Sequence, residues 1–302
     1  MLFAQRTRVL GGIALFALAA CNNSNGMISA PSGAAANAAA VRTAVSPQTL
    51  TTKYVQLVIF ENRRYDEVIG SPKAPYLNSL AQSDANMTQS FAITHPSEPN
   101  YVALFSGSTE GLPSDACPRT YRGVNIGSQL LDAGVTFLGY AESMPSQGFE
   151  GCQATPKKHG EGFMYRRKHN PWADFTRVPR KDSMVYDKPF SKPPAQFVWI
   201  TPNMCNDMHD CGVAIGDRWA SNNLPKLIAW DRANNGVLII TFDENDGSPG
   251  NQIPTILVGN VNPGQYSQTI NHYSVLRTIG DLFGVKPVNN AKSAEDIQGV
   301  IK

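Results

Sequence analysis

A serine between two prolines is the residue of this chain whose setting best suits covalent chemistry. Ser97 follows Pro96 and precedes Pro99 in residues 94–107, a segment that turns from polar to apolar. Proline is tolerated in a loop or in the first turn of a helix, so the pattern predicts a turn that leads into a short helix. Free N–H groups at a helix start favour an anion, and a hydroxyl held there could attack a phosphorus atom whose oxygens rest on those donors. The alternative is that Ser97 only caps the helix, as serine often does.

Acidic and amide side chains follow directly after two apolar runs, residues 54–60 and 236–242, which are predicted to be buried parallel strands. Ligands of open α/β sheets gather beyond the carboxyl ends of the strands, and right-handed crossovers place successive ends on one edge. We therefore expect these side chains to converge with Ser97, although each pair taken alone could be only a polar exit from its strand. They are Glu61, Asn62, Asp243 and Glu244. Carboxylates this close repel one another unless a cation lies among them, and an oxygen-only set suits one divalent ion such as Mg, Ca or Mn.

Most of the histidines lie in polar loops or at predicted helix starts, where they could donate hydrogen bonds to a phosphate or protonate a leaving alkoxide. These are His95, His169, His209 and His272. His209 lies in a dense polar stretch, since four Asn or Asp residues accompany it within residues 203–210, just after a predicted strand. The alternative for any single histidine is a solvated or capping side chain.

Strands that alternate with helices at this spacing predict an α/β fold, a three-layer α/β/α sandwich with a mainly parallel central sheet. The predicted strands are 54–60, 87–93, 135–140, 196–201, 236–242 and 253–258, and the predicted helices are 74–82, a short one after Ser97, 126–132, 215–233 with a break at Pro225, and 275–283. Residues 144–194 show little periodicity, so we expect a long folded excursion over the active face. Its basic residues either attract anionic head groups or nucleotides or form a solvated basic loop. They include Lys157, Lys158, Arg166, Arg167 and Lys168.

The N-terminal segment is expected to direct export rather than to join the core. Residues 1–20 read as a signal peptide, because two arginines precede an apolar run that is too short to span a bilayer. The run ends Leu-Ala-Ala-Cys21, which resembles the lipobox of bacterial lipoproteins and implies lipidation of Cys21; ordinary cleavage at a small-residue site is the alternative. Residues 21–50 predict a lipid-anchored flexible tether, and residues 51–302 predict the folded domain. We expect export from a bacterial cell, with the protein lipid-anchored in the periplasm or outer membrane, or secreted.

The charge balance argues against a nucleic-acid partner held by bulk charge. The chain has 26 Lys and Arg against 24 Asp and Glu, and loss of the two arginines of the signal peptide would leave 24 of each sign. A near-neutral protein lacks the positive field that attracts a phosphate backbone.

Four cysteines remain if Cys21 is set aside, and four allow three pairings. We prefer the disulfides Cys117–Cys152 and Cys205–Cys211, since each encloses one loop-rich stretch, and an exported compartment permits both. A cysteine-rich metal site is the competing interpretation, but the chain has no C-x-x-C spacing.

Five polar motifs carry a resemblance to a known family. They are Glu61-Asn62-Arg63-Arg64-Tyr65, Thr94-His95-Pro96-Ser97-Glu98-Pro99-Asn100-Tyr101, Pro202-Asn203-Met204-Cys205-Asn206-Asp207-Met208-His209-Asp210, Asp243-Glu244-Asn245-Asp246-Gly247 and Asn271-His272-Tyr273. Together they resemble the bacterial phosphoesterase family, which joins acid phosphatases to phosphatidylcholine-type phospholipases C within the alkaline-phosphatase-like superfamily. The likeness is greatest to the secreted acid phosphatases of mycobacteria, and it runs from about residue 54 to about residue 285.

The resemblance implies a role for the motif residues. Ser97 would be the nucleophile that becomes a phosphoserine, and it would hold one metal ion together with Glu61, Asn62, Asp243 and Glu244. A second set of residues would contact the phosphate group of the substrate. Within that set, His209 and His272 are the candidates for protonating the leaving group. That set is Asn100, His169, Asp207, His209 and His272.

The resemblance also implies an activity. The first hypothesis is an exported, metal-dependent acid phosphatase that hydrolyses phosphate monoesters, with small phosphate esters or phosphoinositide head groups as substrates and the membrane reached through an N-terminal lipid. The alternative is a phospholipase C or phosphodiesterase, which the chain length disfavours because it leaves no room for the C-terminal extension of the lipase branch. A third hypothesis is a binding protein that holds an ion without chemistry, and such a protein would be expected to lack the nucleophile or part of the metal cage.

Overall fold

A computed structural model describes residues 52–158 and 162–302. The predicted signal peptide, the tether and Cys21 lie outside the described residues. Within the described ranges, no helix is both long and apolar enough to cross a membrane. The strands are β1 Tyr54–Phe60, β2 Ala85–Phe91, β3 Phe137–Glu142, β4 Gln153–Pro156, β5 Phe163–Arg166, β6 Ser183–Tyr186, β7 Phe197–Thr201, β8 Gly236–Phe242, β9 Thr255–Gly259 and β10 Gly264–Asn271. The helices are α1 Tyr65–Val68, α2 Pro75–Ser83, α3 Ser97–Ser106, α4 Ile126–Asp132, α5 Val213–Asn223, α6 Pro225–Asn234 and α7 His272–Leu282, with short 3₁₀ turns at Arg167–His169, Pro171–Asp174, Arg180–Asp182 and Asn289–Lys292.

Eight strands form one sheet in the order β10-β2-β9-β8-β1-β7-β3-β6, and β4 pairs with β5 in a separate hairpin. β9 runs antiparallel to both of its neighbours, β2 and β8, and the other pairings of the large sheet are parallel. The mainly parallel sheet that the sequence predicts is therefore confirmed.

The central strand β1 shows why the fold has three layers. Val55, Leu57 and Ile59 point into one hydrophobic cluster with side chains of α3, α4 and α7. Val58 and Phe60 point into a second cluster with side chains of α2, α5 and α6. Because successive side chains of a strand alternate between faces, a run that is apolar except for the buried Gln56 needs helices on both sides.

Pro225 divides the helical stretch after β7, as the sequence predicts. It is the first residue of α6, where its missing N–H costs nothing, and α5 ends just before it.

Three features of the sheet were not predicted. β10 is an edge strand that pairs only with β2, and its alternating exposure leaves it too polar to be recognised as a strand. β6 is four residues long, lies inside the excursion and extends the sheet beside β3. β9 follows β8 without an intervening helix and runs antiparallel to it, since a parallel crossover usually needs a helix in the connection.

Two disulfides crosslink loops of the domain. Cys117 pairs with Cys152, and Cys205 pairs with Cys211, which is the preferred pairing of the sequence analysis. The first joins the loop after α3 to the start of the β4–β5 hairpin, and the second closes the loop that follows β7.

Candidate active site

The register of the two central strands brings the first acidic residues together. Phe60 of β1 pairs with Phe242 of β8, so both strands end at the same level. The N–H of Asp243 donates to the carbonyl of Phe60 at 3.0 Å, and the N–H of Asn62 donates to Oδ1 of Asp243 at 3.2 Å. The expected convergence of Glu61, Asn62 and Asp243 thus follows from strand pairing.

Ser97 is the first residue of α3 and faces the carboxylates rather than the helix. Its Oγ lies 3.0 Å from Oε2 of Glu61 and 3.3 Å from Oε1 of Glu244. Pro96 is the N-cap residue, and no side chain caps this helix. The capping role considered for Ser97 is therefore not the one that its hydroxyl takes.

The three carboxylates form a cage that is almost closed to solvent. Glu61 and Asp243 are at most 1% exposed, and Glu244 is 5% exposed. Burial, with repulsion from the neighbouring carboxylates, raises the pKa of Asp243 well above its ordinary value and raises the pKa of Glu244 to about 8. Burial acts in the same direction on Glu61, but the attraction of His169 outweighs it and holds the pKa of Glu61 below its ordinary range.

Unsatisfied oxygens in this cage test whether it fits a metal ion. Oδ2 of Asp243 is buried without a hydrogen-bond partner, and Oε1 of Glu61 has only the ring of His169 near it, at 3.0 Å. Buried acceptors of this kind are costly unless a cation or donor meets them. Three carboxylates beside a hydroxyl and an amide are a donor set that suits a hard divalent cation, so the residues present fit such an ion.

His169 lies between two acidic groups beneath the cage. Its Nε2 is 3.0 Å from Oε1 of Glu61, and its Nδ1 is 3.4 Å from Oδ2 of Asp207. The ring stacks on Tyr101 with centroids 5.0 Å apart. Burial lowers the pKa of His169, but the charge of Glu61 and the hydrogen bond of Asp207 outweigh it, so the pKa is raised overall.

One arrangement of ligand atoms differs from the predicted oxygen-only set. Atoms of Glu61, His169 and His209 lie within 4.8 Å of one another, close enough to share a metal ion. The resemblance assigned these histidines to contact with the phosphate or its leaving group and not to the metal ion. Sequence spacing could not show that they approach Glu61. A mixed nitrogen and oxygen set also accommodates transition metals such as Mn or Zn.

The two histidines proposed for catalysis have different surroundings. Nδ1 of His209 is 2.9 Å from Oδ1 of Asp210, whose Oδ2 is 2.6 Å from Nζ of Lys157, and the His209 side chain is 25% exposed. His272 is buried, and its Nε2 donates to the backbone carbonyl of Asp243 at 2.6 Å, while Nδ1 has no partner. Burial lowers the pKa of His272 to about 4, so its ring is neutral over the ordinary pH range.

The other residues of the motifs form hydrogen bonds or ion pairs with residues of the site or its loops. Oδ1 of Asn100 accepts hydrogen bonds from the N–H groups of Ile93 and Thr94, and its Nδ2 lies 3.3 Å from Oε2 of Glu244. Asp207 is fully buried, with Oδ1 accepting the N–H of His209. His95, which is 40% exposed, places Nδ1 2.6 Å from Oε2 of Glu244. Substrate contact by Asn100 and Asp207 stays a prediction.

A family model and several named proteins match this chain. The model of the family described as "Phosphoesterase family" matches residues 70–286. The chain belongs to the phosphoesterase family. The resemblance carried by its polar motifs is thereby confirmed.

Named relatives of this phosphoesterase are phosphatases. It is 43% identical over 256 residues to the "Phosphatidylinositol-3-phosphatase" of Mycobacterium tuberculosis, covering 83% of each chain. It is 32% identical to a "Probable acid phosphatase" of Kluyveromyces lactis over 74% of this chain and 56% of that protein. It is 30% identical to an "Acid phosphatase" of Aspergillus fumigatus over 76% of this chain and 54% of that protein, so it spans little more than half the length of these fungal relatives. These likenesses support a phosphatase, a hydrolase of phosphate esters.

Solved structures show the fold of this phosphoesterase independently. A protein of the alkaline phosphatase superfamily from Vibrio parahaemolyticus superposes with a TM-score of 0.55 at 13% identity, covering 82% of this chain and 74% of that one. The lipoteichoic acid synthase LtaP from Listeria monocytogenes superposes with a TM-score of 0.54 at 12% identity, covering 84% and 78%. The alkaline-phosphatase-like fold is thus confirmed.

Proposed function

We propose that this phosphoesterase is an exported, metal-dependent acid phosphatase that hydrolyses phosphate monoesters through a phosphoserine at Ser97. The observation that carries the proposal is the position of the Ser97 hydroxyl, at the first residue of a helix and in contact with Glu61 and Glu244. A serine whose only task was structural would not need two buried carboxylates at its oxygen.

The chain supplies the nucleophile and a place for its proton. Oγ of Ser97 forms a bond to phosphorus as the ester P–O bond breaks, and Glu61 or Glu244 is within reach of the hydroxyl proton. Water then attacks the phosphoserine, which releases phosphate and restores the hydroxyl. The ion would be held by Glu61, Asn62, Ser97, Asp243 and Glu244. When bound, a divalent cation lowers the pKa of a ligating hydroxyl and neutralises phosphate charge.

The surroundings of the histidines favour His209 as the acid for the leaving group. His209 is the more exposed of the two candidates, and the contact of Nδ1 with Asp210 leaves Nε2 as its available nitrogen. Burial lowers the pKa of His209, so its ring is protonated chiefly at acid pH, where turnover is expected to be fastest. The Nε2 of His272 is committed to the carbonyl of Asp243, which leaves the lone pair of Nδ1. A neutral His272 therefore has no ring N–H left with which to protonate a leaving group.

Phosphoinositide head groups are the substrates suggested by the named mycobacterial relative, since the 3-phosphate of an inositol lipid is a monoester. The second candidate is a phospholipase C or phosphodiesterase, which the family also contains. Export is supported by the two disulfides, because such bonds persist in oxidising compartments.

A paired assay tests this proposal. Hydrolysis of p-nitrophenyl phosphate and of p-nitrophenylphosphorylcholine is followed side by side from acid to alkaline pH, with and without a chelator. We expect turnover of the monoester, fastest at acid pH, loss of turnover in the chelator and recovery when a divalent metal is restored. Turnover of the choline ester alone would move the protein to the phospholipase branch, and turnover that a chelator leaves intact would overturn metal dependence.

A further inference from the structure

Lys168 is one of the basic residues that the sequence analysis placed in the excursion over the active face, without a specific contact. It precedes His169 in the 3₁₀ turn Arg167–His169, and its side chain is only 15% exposed. Its Nζ lies 2.7 Å from Oδ2 of Asp115, and Oδ1 of Asp115 accepts the N–H of Glu98 at 2.9 Å. The ammonium is therefore two hydrogen bonds away from the backbone of the residue that follows Ser97.

Lys168 lies close to the cage along the chain, because the next residue, His169, places Nε2 3.0 Å from Oε1 of Glu61. An ammonium has three donors, and Asp115 is its hydrogen-bond partner among the described residues, which leaves donors for another anion.

We propose that Lys168 binds the phosphate group of the substrate at Ser97, an inference that rests on the proposed function. At pH 7, where the binding and rate comparisons below are made, a phosphate monoester is mostly a dianion, whereas a diester carries one charge. A fixed cation beside the phosphate stabilises the dianion more than the monoanion. Lys168 therefore favours monoesters over diesters, which makes it a specificity-determining residue.

The test compares phosphate binding in three variants of the metal-loaded protein. Lys168→Gln removes the cation, Asp115→Asn keeps the acceptor for Glu98 but removes the charge that competes for Lys168, and Arg177→Gln is the control. Arg177 forms a comparable pair with Asp132 at 3.1 Å, on the surface of the same excursion. Calorimetry with inorganic phosphate should show a dissociation constant weakened by about tenfold or more in Lys168→Gln, as expected for the loss of a charge-assisted contact. Asp115→Asn should bind phosphate as tightly as the wild type or more tightly, and Arg177→Gln should bind it unchanged.

A second readout separates substrate binding from a structural tie between loops. The ratio of kcat/KM for p-nitrophenyl phosphate to that for bis(p-nitrophenyl) phosphate should fall in Lys168→Gln and be restored by Lys168→Arg. If the ion pair only joined loops, Lys168→Gln and Asp115→Asn would lower Tm alike, and the dissociation constant and the ratio would not move. That result, or weakened phosphate binding in a folded Asp115→Asn protein, would overturn the inference. A wild-type protein that neither binds phosphate nor hydrolyses a phosphate ester would instead overturn the proposed function, and the inference with it.

Discussion

Oγ of Ser97 lies 3.0 Å from Oε2 of Glu61, although 36 residues separate them along the chain. The contact joins the start of α3 to the end of β1, so it exists only when helix and sheet are packed together. Both side chains are almost fully buried. A hydroxyl and a carboxylate held this way are ready to share a cation, and this relationship underlies the account of the site.

Removing one negative charge from the cage should stabilise the metal-free protein. In Asp243→Asn the folded protein no longer has to bury a carboxyl that ionises readily only in the unfolded chain, while Oδ1 still accepts the N–H of Asn62. We expect a higher Tm than the wild type in a chelator and a smaller rise when divalent metal is added. At a metal concentration about a hundredfold above Kd, the wild type should gain about 2.7 kcal/mol. Asp246→Asn is the matched control, since Asp246 is partly exposed beside Arg64 and outside the cage. A lower Tm for metal-free Asp243→Asn would contradict the cage.

Replacing His209 should affect poor leaving groups far more than good ones. A p-nitrophenolate departs without a proton, whereas an alkoxide needs one, so His209→Gln should slow an alkyl ester such as glycerol phosphate by about 10²-fold or more. The same variant should slow p-nitrophenyl phosphate much less. His272→Asn, which removes a buried ring bonded to the carbonyl of Asp243 rather than the leaving-group acid, should slow both substrates to a similar extent. Equal losses on the two esters in His209→Gln would remove His209 from the role of acid.

The two disulfides should differ in what their removal costs. Cys117–Cys152 spans 35 residues and Cys205–Cys211 spans 6. Chain entropy gives about 4 kcal/mol of stability for the longer loop and about 2 kcal/mol for the shorter. The shorter loop, however, carries Asp207 and His209, so the double change Cys205→Ala and Cys211→Ala should lose more activity. Denaturant unfolding and kcat of the two double variants check this, and a larger activity loss on removing Cys117–Cys152 would refute it.

Asp231 should make stability depend on pH without affecting the site. It is buried on α6, and burial raises its pKa to about 8, although the amide of Gln56 lies 2.7 and 2.9 Å from its two oxygens. The folded protein therefore keeps a proton that the unfolded chain has lost. Stability from this group is present at low pH and falls by about 1.4 kcal/mol per pH unit between about pH 4 and pH 8.

Asp231→Asn should remove that decline, so its Tm should exceed that of the wild type most clearly near pH 8. Asp187→Asn, at an exposed position, is the control for the change in charge. Parallel pH–stability curves for Asp231→Asn and the wild type would show that the carboxyl is ionised in the folded protein.

Much of the central architecture could be predicted from residue types alone. β1 is apolar except for Gln56 because helices cover both faces, and that pattern is visible without coordinates. Once β1 and β8 are recognised, the rule for strand ends places Glu61 and Asp243 together. Ser97 required the additional signal of flanking prolines.

The rest depended on contacts that leave no local pattern. β10 is a strand because it pairs with β2, but its alternating exposed residues are polar, so its sequence shows no apolar run. Lys168 looked like one of several basic residues in a loop, and only the folded excursion brings it to Asp115 beside the helix of Ser97. The approach of His169 to Glu61 likewise joins residues more than a hundred positions apart.

The most direct test of the account is to trap the covalent intermediate. Metal-loaded protein is quenched in acid during turnover of p-nitrophenyl phosphate, digested and analysed by mass spectrometry, with Ser97→Ala and the surface variant Ser79→Ala treated in parallel. We predict a phosphoryl group on the peptide that contains Ser97 in the wild type and in Ser79→Ala, and neither phosphoryl group nor turnover in a folded Ser97→Ala protein. Turnover by Ser97→Ala, or a phosphoryl group on a different residue, would contradict the assignment of Ser97 as the nucleophile.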